Sequence, residues 1–194
     1  PTDPVKPYQQ NGGPLLYFGG YSPAGQDLCA EFCDVYLMWP EAENRIINHM
    51  KTMSQLAEKY NRVIDFGLRV HVIVRETEEE AKAYAGQLMS KVNADRGDEV
   101  RGRALDAKSL GVAKQSAMRE AADNEGFIEP HLWTEIGKAR SGCGAALVGN
   151  PEQIISKINR YMDLGIRSFI FSGYPHLNEC QLFAKHVLPH IPNI

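Results

Sequence analysis

The stretch 67-GLRVHVIVRE-76 decides the fold. Successive side chains of an extended strand point to opposite faces, so Gly67, Arg69, His71 and Ile73 share one face and Leu68, Val70, Val72 and Val74 the other. The second set is an unbroken apolar stripe, rich in the β-branched residues that suit strands. The first carries a guanidinium and an imidazole. An unpaired arginine in a dry core costs on the order of several kcal/mol, so this face must look toward water or a site. Just beyond it, Thr77 and Glu80 have the spacing of a capping box, which starts a helix running to about Val92.

The same strand-then-helix unit recurs to either side. Leu15 to Phe18 is a short apolar strand that ends in Gly19-Gly20, and Ser22-Pro23 supplies an N-cap and first helical residue for a helix through about Phe32. Val35 to Met38 is a second strand ending at Trp39-Pro40. The segment from Glu41 to Tyr60 then sets Ile46, Ile47, Met50, Met53, Leu56 and Ala57 at helical spacing. Asn150-Pro151 caps a helix with Ile154, Ile155, Ile158, Tyr161, Met162 and Leu164 inward. Gly165 stops that helix, Ser168 to Phe171 is the last strand, and His176 to Leu188 covers it.

Strands alternating with helices imply an α/β fold whose parallel sheet has right-handed crossovers, and near-continuous apolar strands imply burial on both faces. A doubly wound sheet and a barrel both satisfy this pattern. From Asn93 to Gly149 the alternation breaks into a polar stretch dotted with glycines, and so long an excursion is expected to be a lid or insertion rather than a linker.

Composition narrows the function classes. A chain of 194 residues, 43% hydrophobic, is long enough for one domain that buries roughly 70% of its unfolded surface. The net charge is −3, and no block of like charge exceeds Glu78, Glu79 and Glu80, so no nucleic-acid partner is expected. No apolar run approaches the ~20 residues of a membrane span, and the opening PTDPVKPYQQNGGP has no signal-peptide core, so a cytoplasmic protein without membrane association is expected. Of Cys29, Cys33, Cys143 and Cys180 only the first two are close, one helical turn apart. That is not a zinc pattern, and we expect reduced thiols and no metal.

Five runs, 17-YFGGYS-22, 34-DVYLMWPE-41, 67-GLRVHVIVRET-77, 140-RSGCGAALVGNPEQ-153 and 171-FSGYPHL-177, resemble in order and spacing the second half of the flavin-dependent two-component monooxygenases of the bacterial luciferase superfamily. Within that group the chain is similar to the alkanesulfonate and dimethyl sulfone monooxygenases, and FGGYS, LMWPE and RSGCGAA resemble the dimethyl sulfone branch. The resemblance implies a (β/α)8 barrel of the TIM type. A full barrel needs eight strands and about 250 residues, and only four β/α units are present. Residues 1–194 therefore read as one partial barrel domain, strands five to eight, with an insertion at 93–149. Two unpaired sheet edges would remain. They fit either a piece of a longer chain or a half-barrel that completes itself by dimerising, and a homo-oligomer is expected.

Several side chains have two readings. Gly19 and Gly20 leave the backbone bare before a helix N-terminus, which offers N–H groups and the Ser22 hydroxyl to a phosphate; a turn needing positive φ is the alternative. The resemblance implies that this turn, Tyr21 included, helps hold FMN. Arg69 and His71 match family positions that face substrate and flavin, against a structural ion pair for the arginine. Arg140 matches a lid arginine, against a solvated surface charge, and its glycine-rich flanks suit a closing loop. Trp39 stacks on a ring or packs in the core. Tyr174 stands at the rim of the last strand, to donate or relay a proton. Arg75 is expected to be peripheral.

The implied activity is oxygenation of a small organosulfur compound, a sulfone or an alkanesulfonate, with cleavage of its C–S bond. It uses O2 and reduced FMN delivered by a separate NAD(P)H-dependent flavin reductase. A deazaflavin-dependent oxidoreductase and a non-catalytic flavin-binding half-barrel remain as alternatives.

Overall fold

The computed structural model describes residues 13–92, 108–139 and 142–192, with positions 97, 99, 102 and 103. Four strands, β1 (Tyr17–Phe18), β2 (Val35–Met38), β3 (Asp65–Val74) and β7 (Ile166–Ser172), lie side by side in that order, every pair parallel. Helices α1 (Pro23–Phe32) and α2 (Glu43–Glu58) make the crossovers between the first three. These are the strands and the order that the alternation of apolar runs predicts. The partial barrel of the α/β class is what forms.

The helix boundaries follow their local chemistry. Ser22 caps α1 by accepting from the Gly25 N–H, with Pro23 at the first position. Thr77 and Glu80 close the anticipated capping box on α3 (Glu78–Met89), and Asn150 and Gln153 form another on α5 (Pro151–Asp163).

Between α3 and α5 the structure holds more order than the glycine-dotted sequence conveys. It forms α4 (Leu110–Glu120) and then β4 (Phe127–Glu129), β5 (Leu132–Trp133) and β6 (Ala146–Gly149). β6 joins β3 in parallel, His71 to Val74 against Ala146 to Gly149, and β5 and β4 continue from it antiparallel. His71 is opposite both Ala146 and Ser172, so β6 and β7 flank β3 on opposite edges. β2 pairs only with Asp65 to Leu68, which leaves the upper part of the same edge to β6.

The main core lies on the Leu68, Val70, Val72 and Val74 side of β3. There Tyr36 and Met38 of β2, Ile46 and Met53 of α2, and Ile154, Ile158 and Tyr161 of α5 are all buried. Each such side chain contributes roughly 1.5–3 kcal/mol by leaving water. Ile73, on the opposite face, packs with Ala81 and Ala85 of α3, Trp133, Ile136, Ala146 and Val148 in a second cluster. Cys29, Cys33 and Cys143 are buried and Cys180 is exposed, none of them in a disulfide.

An ionic joint ties α2, β4 and α5 together. Lys157 donates to Glu43 (2.9 Å) and Glu129 (2.6 Å), Arg160 donates to Glu43 (2.9 Å), and the Glu43 N–H donates to Glu129 (3.0 Å).

Arg75 is not peripheral. Its fork meets the buried carboxylate of Glu179 on α6 (His176–His186) at 2.7 and 3.1 Å, because Gly173 lets that helix approach the end of β3 closely. A Cβ on Gly173 would lie 2.5 Å from the Glu179 Cβ. No helix among the described residues is long and apolar enough to cross a membrane.

Candidate active site

The C-terminal ends of β3 and β7 bring Arg69, His71, Ser172, Tyr174 and His176 together. Register sets the first contact: His71 and Ser172 are direct partners, and the serine Oγ lies 2.7 Å from the imidazole Nδ1. The Tyr174 ring is tilted against His71 at 5.4 Å between centroids and against His176 at 4.9 Å. His176 donates from Nδ1 to the Gly173 carbonyl at 2.5 Å. Beside them a cavity of about 460 Å³ is lined by Arg69, Ser172, Gly173, Tyr174, His176 and Glu179, among others.

Among the described residues no carboxylate forms a salt bridge with Arg69. Its Nε is buried without a hydrogen-bond partner, and so is the Oγ of Ser168, which lies over Gly67 one step down the same face. Unpaired buried polar groups are rare and costly; of the three among the described residues two lie on this face, the third being the Tyr161 hydroxyl in the core, and the pair suits an acceptor or an anion.

The ends of β1 and β2 carry the second group. Gly19 and Gly20 do not adopt left-handed φ, so the alternative of a positive-φ turn does not hold. The Gly20 carbonyl accepts from the Tyr36 hydroxyl at 2.7 Å, which fixes the turn. The Tyr21 hydroxyl accepts from the Trp39 N–H (3.2 Å) and faces the Trp39 carbonyl (3.4 Å). Burial first, then the Glu41 charge, pushes its pKa well above the ordinary range, so it stays a neutral donor. Trp39 is half-buried under α4, where Gly111 leaves room for the indole: a Cβ there would come within 2.9 Å of its ring.

α4 and the segment after it span the two groups. Gln115 donates to the Pro40 carbonyl (3.0 Å) and accepts from the Gly144 N–H (3.0 Å), and the Cys143 thiol contacts the Arg69 carbonyl at 3.2 Å. Lys114 reaches His49 at 3.2 Å, and His49 reaches the buried Glu41 at 3.1 Å. The insertion thus sits over the strands' C-terminal ends, where parallel α/β folds bind ligands. Arg140 lies outside the described residues.

Of the residues singled out from sequence, Arg69 and Tyr174 line one cavity, and His71 lies behind it against Ser172 and the Tyr174 ring. Gly19, Gly20, Tyr21, Ser22 and Trp39 form the neighbouring rim. Sequence reasoning missed Ser172, Glu41, Gln115 and Glu179. Ser172 was legible from its alternation with Ser168, whereas nothing local marks a partner 104 positions from Arg75.

Residues 2–168 match the family model described as luciferase-like monooxygenase. The chain is 53% identical over 190 residues to a sulfoquinovose monooxygenase of Agrobacterium fabrum, across 98% of this chain and 49% of that protein. It is 51% identical to another from Novosphingobium aromaticivorans, across 92% of this chain and 49% of that protein. The chain therefore spans about half the length of the curated relatives it matches. Among solved structures it resembles riboflavin lyase RcaE (TM-score 0.68, 13% identity, 95% of this chain and 44% of that one). It also resembles DmoA from Hyphomicrobium sulfonivorans (TM-score 0.66, 16% identity, 91% and 40%). These likenesses support the partial barrel, and the match over residues 2–168 establishes that the chain belongs to the luciferase-like monooxygenase family.

Proposed function

We propose that this chain forms the C-terminal half-barrel of a two-component, FMN-dependent monooxygenase that cleaves the C–S bond of an organosulfonate, with a sulfonated sugar of the sulfoquinovose type as substrate. The observation that carries this reading is the buried, unpartnered Nε of Arg69 in a cavity it shares with Ser172 and Tyr174, both of which contact His71. A cation with an unused donor suits an anionic sulfonate better than a neutral sulfone. Half of each sulfoquinovose monooxygenase aligns to this chain at 51–53% identity, which favours the sugar sulfonate over a plain alkanesulfonate.

The residues present fit a flavin mononucleotide. The Gly19–Ser22 turn stands at the N-terminus of a ten-residue helix, where backbone N–H groups and the helix dipole favour a phosphate. Ser22 uses its oxygen to cap and keeps its own proton to donate. Trp39 and Tyr21 provide a rigid aromatic rim beside that turn. Reduced FMN, supplied by a flavin reductase, would provide the oxygen-activating chemistry.

The chain's own side chains bind, orient and move protons. Arg69 holds sulfonate oxygens through charge-assisted hydrogen bonds. His71, oriented by Ser172 through Nδ1, takes or returns a proton at its other ring nitrogen, and the Tyr174 phenol donates beside it.

The test is sulfite release by the full-length enzyme with a reductase, FMN and oxygen, using sulfoquinovose, short alkanesulfonates and dimethyl sulfone in parallel. Oxygen-dependent sulfite from sulfoquinovose is the expected result. Turnover of dimethyl sulfone alone, or oxygen-independent reduction with a deazaflavin, would overturn the proposal.

A further inference from the structure

We infer that Arg75 and Tyr84 are positioning residues that hold the Tyr174 turn over His71, an inference that rests on the function proposed above. Neither residue reaches the cavity's reacting groups. Arg75 is instead the hub of a clamp between three elements. Its Nη1 donates to the Val74 carbonyl (2.7 Å) and to Glu179 (3.1 Å), and its Nη2 donates to the other Glu179 oxygen (2.7 Å). Its guanidinium carbon lies over the Tyr84 ring, 3.7 Å from the centroid. The Tyr84 hydroxyl then donates to the carbonyl of Tyr174 at 3.1 Å.

That last bond matters because of what it fixes. Tyr174 sits between the end of β7 and the start of α6, and its ring touches His71 on one side and His176 on the other. Gly173 offers the turn no side-chain packing of its own. Pinning the Tyr174 carbonyl restrains its ψ, and with it the path by which the phenol meets the imidazole. The Arg75 fork in turn holds Tyr84 in place by stacking, and it holds the first turn of α6 through Glu179. A buried ion pair is by itself weak evidence for stability, because desolvation offsets most of its attraction. Here the pair, the carbonyl contact and the stacked ring all fix the geometry of one active-site turn.

Tyr84→Phe separates positioning from simple docking, since it removes one hydroxyl while keeping the ring beneath Arg75. Arg75→Lys keeps a charge for Glu179 but loses the planar fork that stacks. Two readouts are taken: ring-to-ring nuclear Overhauser contacts between Tyr174 and His71 in the 194-residue chain, and kcat and KM of the complete enzyme with sulfoquinovose.

In Tyr84→Phe the thermal midpoint should stay near wild type. The Tyr174–His71 contact should weaken by about half or more, and kcat should fall about tenfold with KM unchanged, as expected for losing one hydrogen bond that acts through geometry. Arg75→Lys should weaken the same contact. An undiminished contact in Tyr84→Phe, or an unchanged kcat in an active enzyme, would overturn the inference. If the contact weakens but wild-type enzyme releases no sulfite from any sulfonate, the positioning role stands and the proposed function fails.

Discussion

Two arginines six positions apart, one within β3 and one just past its end, do opposite work, and their partners explain why. Arg69 leaves a buried Nε unpaired on the site face, whereas Arg75 spends its fork on Glu179 and the Val74 carbonyl. In the full-length enzyme Arg69→Ala should lower kcat/KM about 30-fold to 1,000-fold, the cost of one charge-assisted contact in a dry site, with little change in thermal midpoint. Arg75→Ala should cost about 3 kcal/mol in denaturant unfolding, because the Glu179 carboxylate would remain buried without its partner. Comparable kinetic losses and no stability difference between the two would contradict this division.

Of the three carboxylates among the described residues whose pKa is lowered, Glu41 and Glu43 are the partly buried ones, Glu78 being at the surface. For Glu41, burial raises the pKa, but the His49 hydrogen bond and the charges of His49, Lys114 and Arg45 together outweigh it, and the net shift is downward from 4.5. For Glu43, burial is likewise outweighed, by the hydrogen bonds and charges of Lys157 and Arg160. A carboxyl whose folded pKa is depressed stabilises the fold above its unfolded value and loses that contribution as pH falls through the folded one. Urea midpoints should therefore be steady above about pH 5 and decline below pH 4.5. Glu43→Gln should flatten that decline, and an unaltered slope would count against the assignment.

At the scale of elements, α4 is held over the site by small contacts rather than by a thick apolar stripe. Gly111 seats it against Trp39 and Tyr21, Gln115 bonds on both sides, and Lys114 reaches His49. Gly111→Val places side-chain atoms where the indole lies. It should lift the helix, shift Trp39 fluorescence and speed proteolysis between α3 and β4, while the four parallel strands stay folded. Unchanged fluorescence and cleavage would mean that α4 adapts without leaving the rim. Caps contribute in the ordinary range, and Asn150→Ala should cost about 1 kcal/mol by removing one half of the capping box on α5.

At the scale of the molecule, β1 pairs only with β2 and β7 only with β3 among the described residues, so both flanks of the parallel sheet are open. Leu15, Leu16, Leu28 and Phe32 are exposed near one flank, Ile170 and Leu177 near the other. A flavin and its substrate in this fold draw on loops from the whole ring of strands. The isolated 194-residue chain should accordingly show little monooxygenase turnover and weak FMN affinity, each 1.4 kcal/mol of missing contact being about tenfold. Titration with oxidised and reduced FMN, followed by a reductase-coupled sulfite assay, tests this; robust turnover would show that the half-barrel holds a complete site.

What the sequence determined by itself is local and periodic. The alternation in GLRVHVIVRE assigned Leu68, Val70, Val72 and Val74 to the core, and the caps at Ser22, Thr77 and Asn150 placed three helix starts, because strand parity and N–H capping are decided within a few residues. The parallel order of β1, β2, β3 and β7 followed from the alternation of strands with helices. Only the tertiary structure decided that Ala146–Gly149 takes the upper edge of β3, that Glu179 makes Arg75 a clamp, and that Tyr84 holds Tyr174. Each of those contacts joins residues about 75 to 104 positions apart, where register, burial and close approach at one glycine select partners that no local pattern encodes.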